Sequence, residues 1–269
     1  MLLLVTRPGD TGQRLVAHLA SLGQAALWWP AFDLLPPAEP ALLQAAIERL
    51  AQYDLVVFVS PMAVRAFAAA LGAAAWPEGA GIAGVGAATL RAVAGTLRPA
   101  AAVPQYGPRG PGAGDGGAEA LWEALAALPV APRHVLIVRA QAGREWLGDR
   151  LRAAGATVDE IEAYRRCPHQ HPPGDWARLQ VALAGGGPLA VLFSSTEAVG
   201  TVTPDLARQP WIDMPQVIAL CVHERIEQAA RGAGWRDVRR CEPEAPALLA
   251  VLAGTPSDPA AARSGAAAG

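Results

Sequence analysis

Polar side chains recur in this sequence directly after short apolar runs, where parallel sheets present groups to a ligand. Thr6 and Arg7 follow the apolar run Leu2–Val5, and Arg139 follows Val135–Val138. The carboxyl ends of parallel strands meet at one edge of a sheet, and ligands bind beyond that edge. Guanidinium groups and helix N-termini both favour carboxylates or phosphates. These positions therefore predict a site for an anionic small molecule.

The other candidate contacts have the same placement, and several stand immediately before a predicted helix. A hydroxyl in this position can instead be a helix N-cap, a role that is compatible with ligand binding. The candidate substrate-binding residues of this kind are Thr6, Arg7, Ser60, Gly86, Thr89, Arg139, Gly143, Arg144, Ser194, Ser195, Thr196 and His223.

Tyr164 is the candidate for acid chemistry. It ends the predicted strand block Thr157–Tyr164, and Phe32 is its counterpart in an internal repeat, so the hydroxyl distinguishes the two copies. A phenol with a pKa of about 10 is protonated at neutral pH and can donate a hydrogen bond or a proton. An aromatic residue that only packs against its own lobe is the alternative interpretation.

The internal repeat predicts how these residues are brought together. Leu3–Arg7 resembles Val135–Arg139, which lies 132 residues later, and Val57–Val64 resembles Leu192–Val199 at an offset of 135. Duplicated α/β units usually form two lobes with a ligand cleft between them. Chance similarity between two halves rich in alanine and leucine is the alternative.

Apolar runs alternate with helical patterns along the chain, which predicts an α/β protein with parallel sheets covered on both faces. The predicted strands are Leu2–Val5, Ala25–Trp29, Leu55–Val59, Ile82–Val85, Ala100–Val103, Val135–Val138, Thr157–Ile161, Ala190–Phe193, Val217–Leu220 and Asp237–Arg240.

Two proline-rich segments, Asp33–Pro40 and Arg165–Pro173, are interpreted as linkers that bound an inserted lobe. The first lobe then comprises residues 1–34 and 168–252, and the second comprises residues 37–166. Residues 253–269 are rich in alanine, glycine, proline and serine, which predicts a disordered tail.

Composition limits the binding partners and the chemistry that the chain can have. It is 52% hydrophobic with a formal net charge of -2, so no global field attracts nucleic acid or a membrane surface. All 22 basic residues are arginine, which excludes Schiff-base chemistry on lysine. Cys167, Cys221 and Cys241 are too few and too widely spaced for a disulfide framework. We expect a cytoplasmic monomer without a membrane span.

Two weaker motifs do not predict a bound group. Gly84-Val85-Gly86 lacks the rest of a dinucleotide-binding pattern. His169-Gln170-His171 lies in a predicted linker, with no cysteine or carboxylate recognised at metal-ligand spacing. We therefore expect no metal site and no cofactor.

Taken in order, the motifs resemble those of the uroporphyrinogen-III synthase family over about residues 1–252, and the ordered series is more specific than any one motif. Two positions depart from the family pattern, because Met62 replaces the usual asparagine and Glu224 the typical proline. The matching segments are Leu4–Pro8, Phe58–Phe67, Val85–Thr89, Arg144–Leu147, Tyr164–Arg166, Phe193–Val199 and Val222–Ile226.

The resemblance implies two flavodoxin-like lobes joined by a two-stranded linker, and a hydro-lyase of haem and tetrapyrrole biosynthesis. Such an enzyme converts hydroxymethylbilane into uroporphyrinogen III with loss of water and inversion of ring D. By resemblance, Tyr164 assists departure of the hydroxyl, and Thr89 binds a substrate carboxylate. Pro61 and Met62 join the substrate-binding residues on the same basis. The preceding enzyme of the pathway is considered as a partner.

Three other functions fit a bilobal α/β protein. A non-catalytic relative would bind a tetrapyrrole or regulate a protein of that pathway, and a turnover assay separates it from the enzyme. A small-molecule receptor of the periplasmic kind would be expected to carry a signal peptide, and none is recognised. A nucleotide-sugar transferase would be expected to have a longer chain and a nucleotide motif.

Overall fold

The computed structural model describes residues 1–108, 117–143 and 145–254. Within them the chain divides into two compact units. Unit 1 comprises Met1–Asp33 and the chain from Cys167 onward, and unit 2 comprises Leu34–Arg166. No helix in the described ranges has both the length and the apolar character needed to cross a membrane.

Unit 1 contains a five-stranded sheet in the order β11-β10-β9-β1-β2, and all of its neighbouring strands are parallel. This is the flavodoxin-like order, 2-1-3-4-5, when the strands are numbered within the unit. The strands are β1 (Leu2–Val5), β2 (Ala26–Trp28), β9 (Leu189–Phe193), β10 (Ile218–Cys221) and β11 (Asp237–Arg240).

Unit 2 is built on a six-stranded sheet in the order β3-β8-β7-β4-β5-β6. Strands β4 to β8 pair in parallel, and β3 lies beside β8. The strands are β3 (Phe32–Leu35), β4 (Leu55–Phe58), β5 (Gly81–Gly84), β6 (Gln105–Tyr106), β7 (His134–Ala140) and β8 (Thr157–Pro168).

Helices connect the strands, as parallel pairing requires. Short 3-10 helices at Leu50–Gln52 and Met214–Gln216 and a π-helix at Val93–Leu97 interrupt the pattern. The α-helices are α1 (Gly9–Ser21), α2 (Pro40–Glu48), α3 (Pro61–Leu71), α4 (Ala87–Ala92), α5 (Gly117–Ala126), α6 (Trp146–Ala153), α7 (Pro173–Leu183), α8 (Thr196–Ala207), α9 (Glu224–Gly232) and α10 (Ala245–Leu252).

The central strands are apolar throughout because each sheet has a core on both of its faces. In β1, Leu4 packs in one hydrophobic cluster, whereas Leu3 and Val5 pack in another. In β4, Val56 belongs to one cluster and Val57 to the other. Side chains alternate between the faces of a strand, so an uninterrupted apolar run is what a doubly covered sheet requires.

The two copies of the repeat exchange strands between the sheets. One copy supplies β1, β2 and β4 to β6, and the other supplies β7 to β11. Each sheet therefore combines the first two strands of one copy with the last three of the other. The registers agree, because Leu4 pairs with Val191 in unit 1 while the equivalent Leu136 pairs with Val56 in unit 2. The repeated segment is consequently not the folding unit.

The structure confirms the predicted α/β class with two mainly parallel sheets, but it corrects one local prediction. The strand expected at Ala100–Val103 is a turn, and β6 follows it at Gln105–Tyr106. Both proline-rich segments contain strand, since β3 ends at Leu35 and β8 extends to Pro168. A proline can occupy a strand end or edge, where no ladder N–H is needed.

Candidate functional site

Unit 2 has a cavity of about 300 Å³ at the carboxyl edge of its sheet. Its wall includes four of the predicted site residues, namely Ser60, Arg139, Gly143 and Tyr164. The rest of the lining is mostly small or apolar and consists of Val59, Val85, Gly117, Ala118, Ile137, Ala140, Ala142, Leu147, Gly148, Glu160 and Arg166. An apolar cavity with a few convergent polar groups is the usual form of a small-molecule site.

The Tyr164 hydroxyl lies beside Ser60 in this cavity, with 3.3 Å between the two oxygens. Ser60 is also the N-cap of α3, because its Oγ accepts a hydrogen bond from the backbone N–H of Ala63 at 3.0 Å. That bond leaves the Ser60 proton available to Tyr164. The Tyr164 side chain is 7% exposed, so its contacts, rather than solvent, determine its orientation.

The carboxylate of Glu160 bridges two arginine side chains at the cavity wall. Glu160 Oε2 lies 2.9 Å from Nε of Arg139, and its Oε1 lies 2.7 Å from a guanidinium nitrogen of Arg152. This pairing raises the pKa of Arg152. Arg139 is therefore held in place, with part of its guanidinium already occupied, before any ligand arrives. Sequence reasoning missed Glu160, although a charged residue within a predicted strand was an available signal.

The remaining candidates of unit 2 occupy the starts of two helices. Pro61 is the first residue of α3, and Gly86 is the N-cap of α4. The first-turn N–H groups of a helix have no intrahelical acceptor and favour anions. The Thr89 side chain is only 2% exposed, so a substrate carboxylate would reach its hydroxyl only after local rearrangement.

In unit 1, the predicted hydroxyl residues have mainly structural contacts. The Thr6 hydroxyl is buried and donates to the Leu192 carbonyl oxygen at 2.6 Å. Ser195, rather than Ser194 or Thr196, is the N-cap of α8, and its Oγ accepts from a backbone N–H. Ser195 is the repeat counterpart of Ser60, so the two copies conserve the cap. Ser194 is half-buried and Thr196 is exposed.

Arg7 is the repeat counterpart of Arg139, but its electrostatic surroundings differ. Among the described residues it forms no ion pair within 4.0 Å. Burial lowers the pKa of its guanidinium, while the charge of Glu244 acts in the opposite direction. The repeat counterpart of Glu160 is Trp28, which cannot neutralise an arginine. A partly buried guanidinium without a partner is suited to an anionic ligand.

The backbone around Arg7 is fixed by close packing. The Trp28 indole N–H donates to the Arg7 carbonyl oxygen at 2.9 Å. Gly12 lets α1 approach this contact, since an added Cβ would lie 2.0 Å from the same oxygen. These contacts place Arg7 at the end of β1 with little freedom.

His223 caps α9 through its ring, whose Nδ1 accepts from the backbone N–H of Arg225 at 3.1 Å. A neutral imidazole that accepts at Nδ1 carries its proton on Nε2, which is then a hydrogen-bond donor. Arg144 lies outside the described residues, as do residues 255–269 of the predicted tail.

The structure contradicts the expectation that no carboxylate lies within metal-binding reach of His169 and His171. Asp175, on the first turn of α7, brings a carboxylate beside His169 and His171. One ligand atom from each of the three residues lies within 4.8 Å of the others. The sequence spacing of four residues between His171 and Asp175 was the available signal.

Comparison with known proteins identifies the family. A family model described as uroporphyrinogen-III synthase HemD matches residues 13–250. This chain belongs to the uroporphyrinogen-III synthase family. The resemblance inferred from the ordered motifs is thereby confirmed.

Individual members of the uroporphyrinogen-III synthase family align along most of the chain. The Salmonella typhimurium enzyme is 31% identical over 247 residues, covering 89% of this chain and 94% of that protein. The Escherichia coli enzyme is 28% identical, with the same coverage of 89% and 94%. A solved structure of a mutant enzyme from the extreme thermophile Thermus thermophilus matches at 21% identity with a TM-score of 0.56. It covers 94% of this chain and 98% of that one, which supports the fold assignment.

The structure places both departures from the uroporphyrinogen-III synthase motifs. Met62 is the second residue of α3, packs against the unit 2 core, and lines an apolar groove rather than the cavity that contains Ser60. Glu224 begins α9, and its Oε2 lies 3.7 Å from Arg240. Met62 therefore supplies apolar surface where asparagine would offer a hydrogen bond.

Alanine at Ser60 or Ser195 tests the capping role that the two residues share. Each substitution removes the acceptor of one backbone N–H and should lower the free energy of unfolding by about 1 kcal/mol. Urea denaturation followed by circular dichroism would measure both losses. Unchanged stability in both variants would contradict the capping geometry, and a clearly larger loss for Ser60→Ala would show that the Tyr164 contact also stabilises unit 2.

Proposed function

We propose that this protein is a uroporphyrinogen-III synthase, which cyclises hydroxymethylbilane with loss of water and inversion of ring D. The observation that carries the proposal is the Tyr164 hydroxyl beside Ser60 and near Arg139 in the cavity of a member of this family. The substrate is a linear tetrapyrrole whose acetate and propionate groups make it a polyanion. The site therefore needs cationic groups, hydrogen-bond donors and a proton donor.

The proposed binding residues meet the first two requirements. Arg7 forms no ion pair among the described residues, so a substrate carboxylate would supply the negative charge that balances its guanidinium. Helix N-termini at Ser60, Gly86, Ser195 and His223 supply backbone N–H groups for further carboxylates. The cavity of about 300 Å³ is at the small end of the range for ligand pockets, so it takes part of the substrate rather than the whole.

Tyr164 is proposed to donate a proton to the departing hydroxyl. The pyrrole nitrogen supplies the electron pair that expels this group as water. The pyrrole N–H proton then passes to the Tyr164 phenolate, which restores the phenol and leaves a neutral azafulvene. Ser60 would donate its hydrogen to the Tyr164 oxygen and stabilise the negative charge that develops there. Ring D then attacks through its substituted carbon to give a spiro intermediate, which rearranges to the inverted product.

Positioning is the larger part of the proposed catalysis. Without restraint the azafulvene closes to the uninverted isomer, so the protein must hold ring D with its substituted carbon facing the reactive carbon. Orientation of this kind supplies a large share of many rate enhancements. Glu160 contributes by fixing Arg139 before the substrate binds.

We also propose that the protein acts as a monomer in the cytoplasm and receives its substrate from the preceding enzyme of the pathway. Its three cysteines are free thiols, which suits a reducing compartment. Light scattering of the purified protein would test the monomer.

The function is tested by incubating the protein with freshly generated hydroxymethylbilane. The products are then oxidised, and the uroporphyrin isomers are separated. We expect mostly the type III isomer. Formation of only the spontaneous type I isomer by a folded sample would overturn the proposal and favour a non-catalytic tetrapyrrole-binding relative.

Tyr164→Phe should lower the rate of type III formation by about 100-fold or more, because it removes a positioned proton donor. Tyr53→Phe is the matched control. The Tyr53 hydroxyl bonds to Asp159 at 2.6 Å outside the cavity, and burial raises the pKa of Tyr53 to about 12. The control should keep the wild-type isomer ratio and rate. Near-wild-type activity of Tyr164→Phe at unchanged fold would remove Tyr164 from the mechanism.

Arg7→Gln should raise KM by about tenfold or more, since a hydrogen bond between charged groups contributes about 1.5–3 kcal/mol. Arg14→Gln removes the same charge from an exposed position on α1 and should leave KM unchanged. Steady-state kinetics on both variants would separate the two cases. Equal changes in KM would mean that Arg7 acts only through net charge.

A further inference from the structure

A cluster of metal-ligating side chains in unit 1 is not used by the proposed reaction. His169 and His171 follow the end of β8, and Asp175 lies on the first turn of α7. Their ligand atoms lie within 4.8 Å of one another. Ligands on one tetrahedral zinc ion, bound at about 2.0–2.2 Å, are separated by roughly 3.3 Å. Side-chain movements of about 1 Å would therefore close the cluster around an ion.

His169 has a carboxylate neighbour of the kind that metal-ligating histidines have. Its Nδ1 lies 2.7 Å from a carboxylate oxygen of Asp33. In metal sites a carboxylate commonly accepts the second ring N–H of a ligating histidine, which fixes the tautomer and makes the other nitrogen more basic. With Nδ1 held by Asp33, Nε2 of His169 is left to bind the ion.

His171 provides an independent observation that points to a ligand. Its side chain is 4% exposed and stacks on Trp29 at 3.8 Å between ring centroids. Its Nδ1 is buried without a hydrogen-bond partner and lies 3.8 Å from Oδ2 of Asp175. An unpaired buried nitrogen is costly, so such atoms usually have a partner.

The surrounding charge also favours a cation. Asp33 contacts His169, and the charges of Asp175 and Asp205 act on His171.

We propose that His169, His171 and Asp175 bind a divalent transition-metal ion such as zinc, with Asp33 as the carboxylate that orients His169. Two imidazoles and a carboxylate, with a water molecule as fourth ligand, form a recognised zinc coordination set. The ion would fasten the end of β8 to the start of α7 and to Asp33 on β3. This site is separate from the reaction proposed above, and neither depends on the other.

The test is calorimetric titration of zinc alone into the full chain, prepared without a polyhistidine tag and stripped with a chelator. We expect about one zinc ion per chain. His169→Gln should weaken binding by at least tenfold, and Asp33→Asn by about 10–100-fold, which is typical for a group that supports a ligand. His18→Gln, at an exposed position on α1, is the matched control and should bind like the wild type.

His171→Phe removes the ligand nitrogen but keeps an aromatic ring against Trp29, so the fold should be retained. Cobalt(II) added to the wild type should give visible absorption bands of a low-coordinate site, and these should disappear in His171→Phe. Equal zinc binding by wild type and both histidine variants would place the site elsewhere. Absence of binding to the folded wild type at millimolar zinc would overturn the proposal and assign a trapped water molecule to the Nδ1 of His171.

Discussion

Parallel hydrogen bonding between strands that lie far apart in the sequence is the constraint on which both units depend. β1 pairs with β9 in unit 1, and β7 pairs with β4 in unit 2, in equivalent registers. Both strands of each pair are buried on two faces, so a slip of one residue would exchange every side chain between the two cores. The register also fixes which residues emerge at the carboxyl edge, and the candidate sites follow from it.

The two repeat copies have similar residues at the carboxyl edges of the sheets, and a few residue differences make these edges chemically different. Ser60 and Ser195 cap equivalent helices by the same backbone contact. Tyr164, however, replaces a phenylalanine of the other copy and supplies a hydroxyl beside Ser60. The cap thus serves both the helix and the proposed proton donor, so a single residue links local stability to the proposed chemistry.

The two equivalent arginines, Arg139 and Arg7, differ in the neighbours of their charged groups, and this difference suggests different roles. Arg139 is held by Glu160, which orients the guanidinium but satisfies part of its charge. In the other copy, Trp28 stands where Glu160 does, and burial lowers the pKa of the Arg7 guanidinium. We interpret Arg139 as a preorganised part of the cavity wall. We interpret Arg7 as a cation that is suited to bind a substrate carboxylate. Desolvation makes such a group costly unless a ligand compensates it.

The sequence alone determined the α/β class, most strand positions, the repeat and the family, because buried parallel strands require apolar runs and ligands require polar residues after them. Only the tertiary structure decided that the copies exchange strands, that Glu160 forms an ion pair with Arg139, and that Asp175 lies close to His169 and His171. These outcomes depend on pairing and side-chain direction between distant residues, which no local pattern encodes. Thr6 illustrates the limit, because its position was predicted correctly, whereas its hydroxyl bonds to the backbone of Leu192.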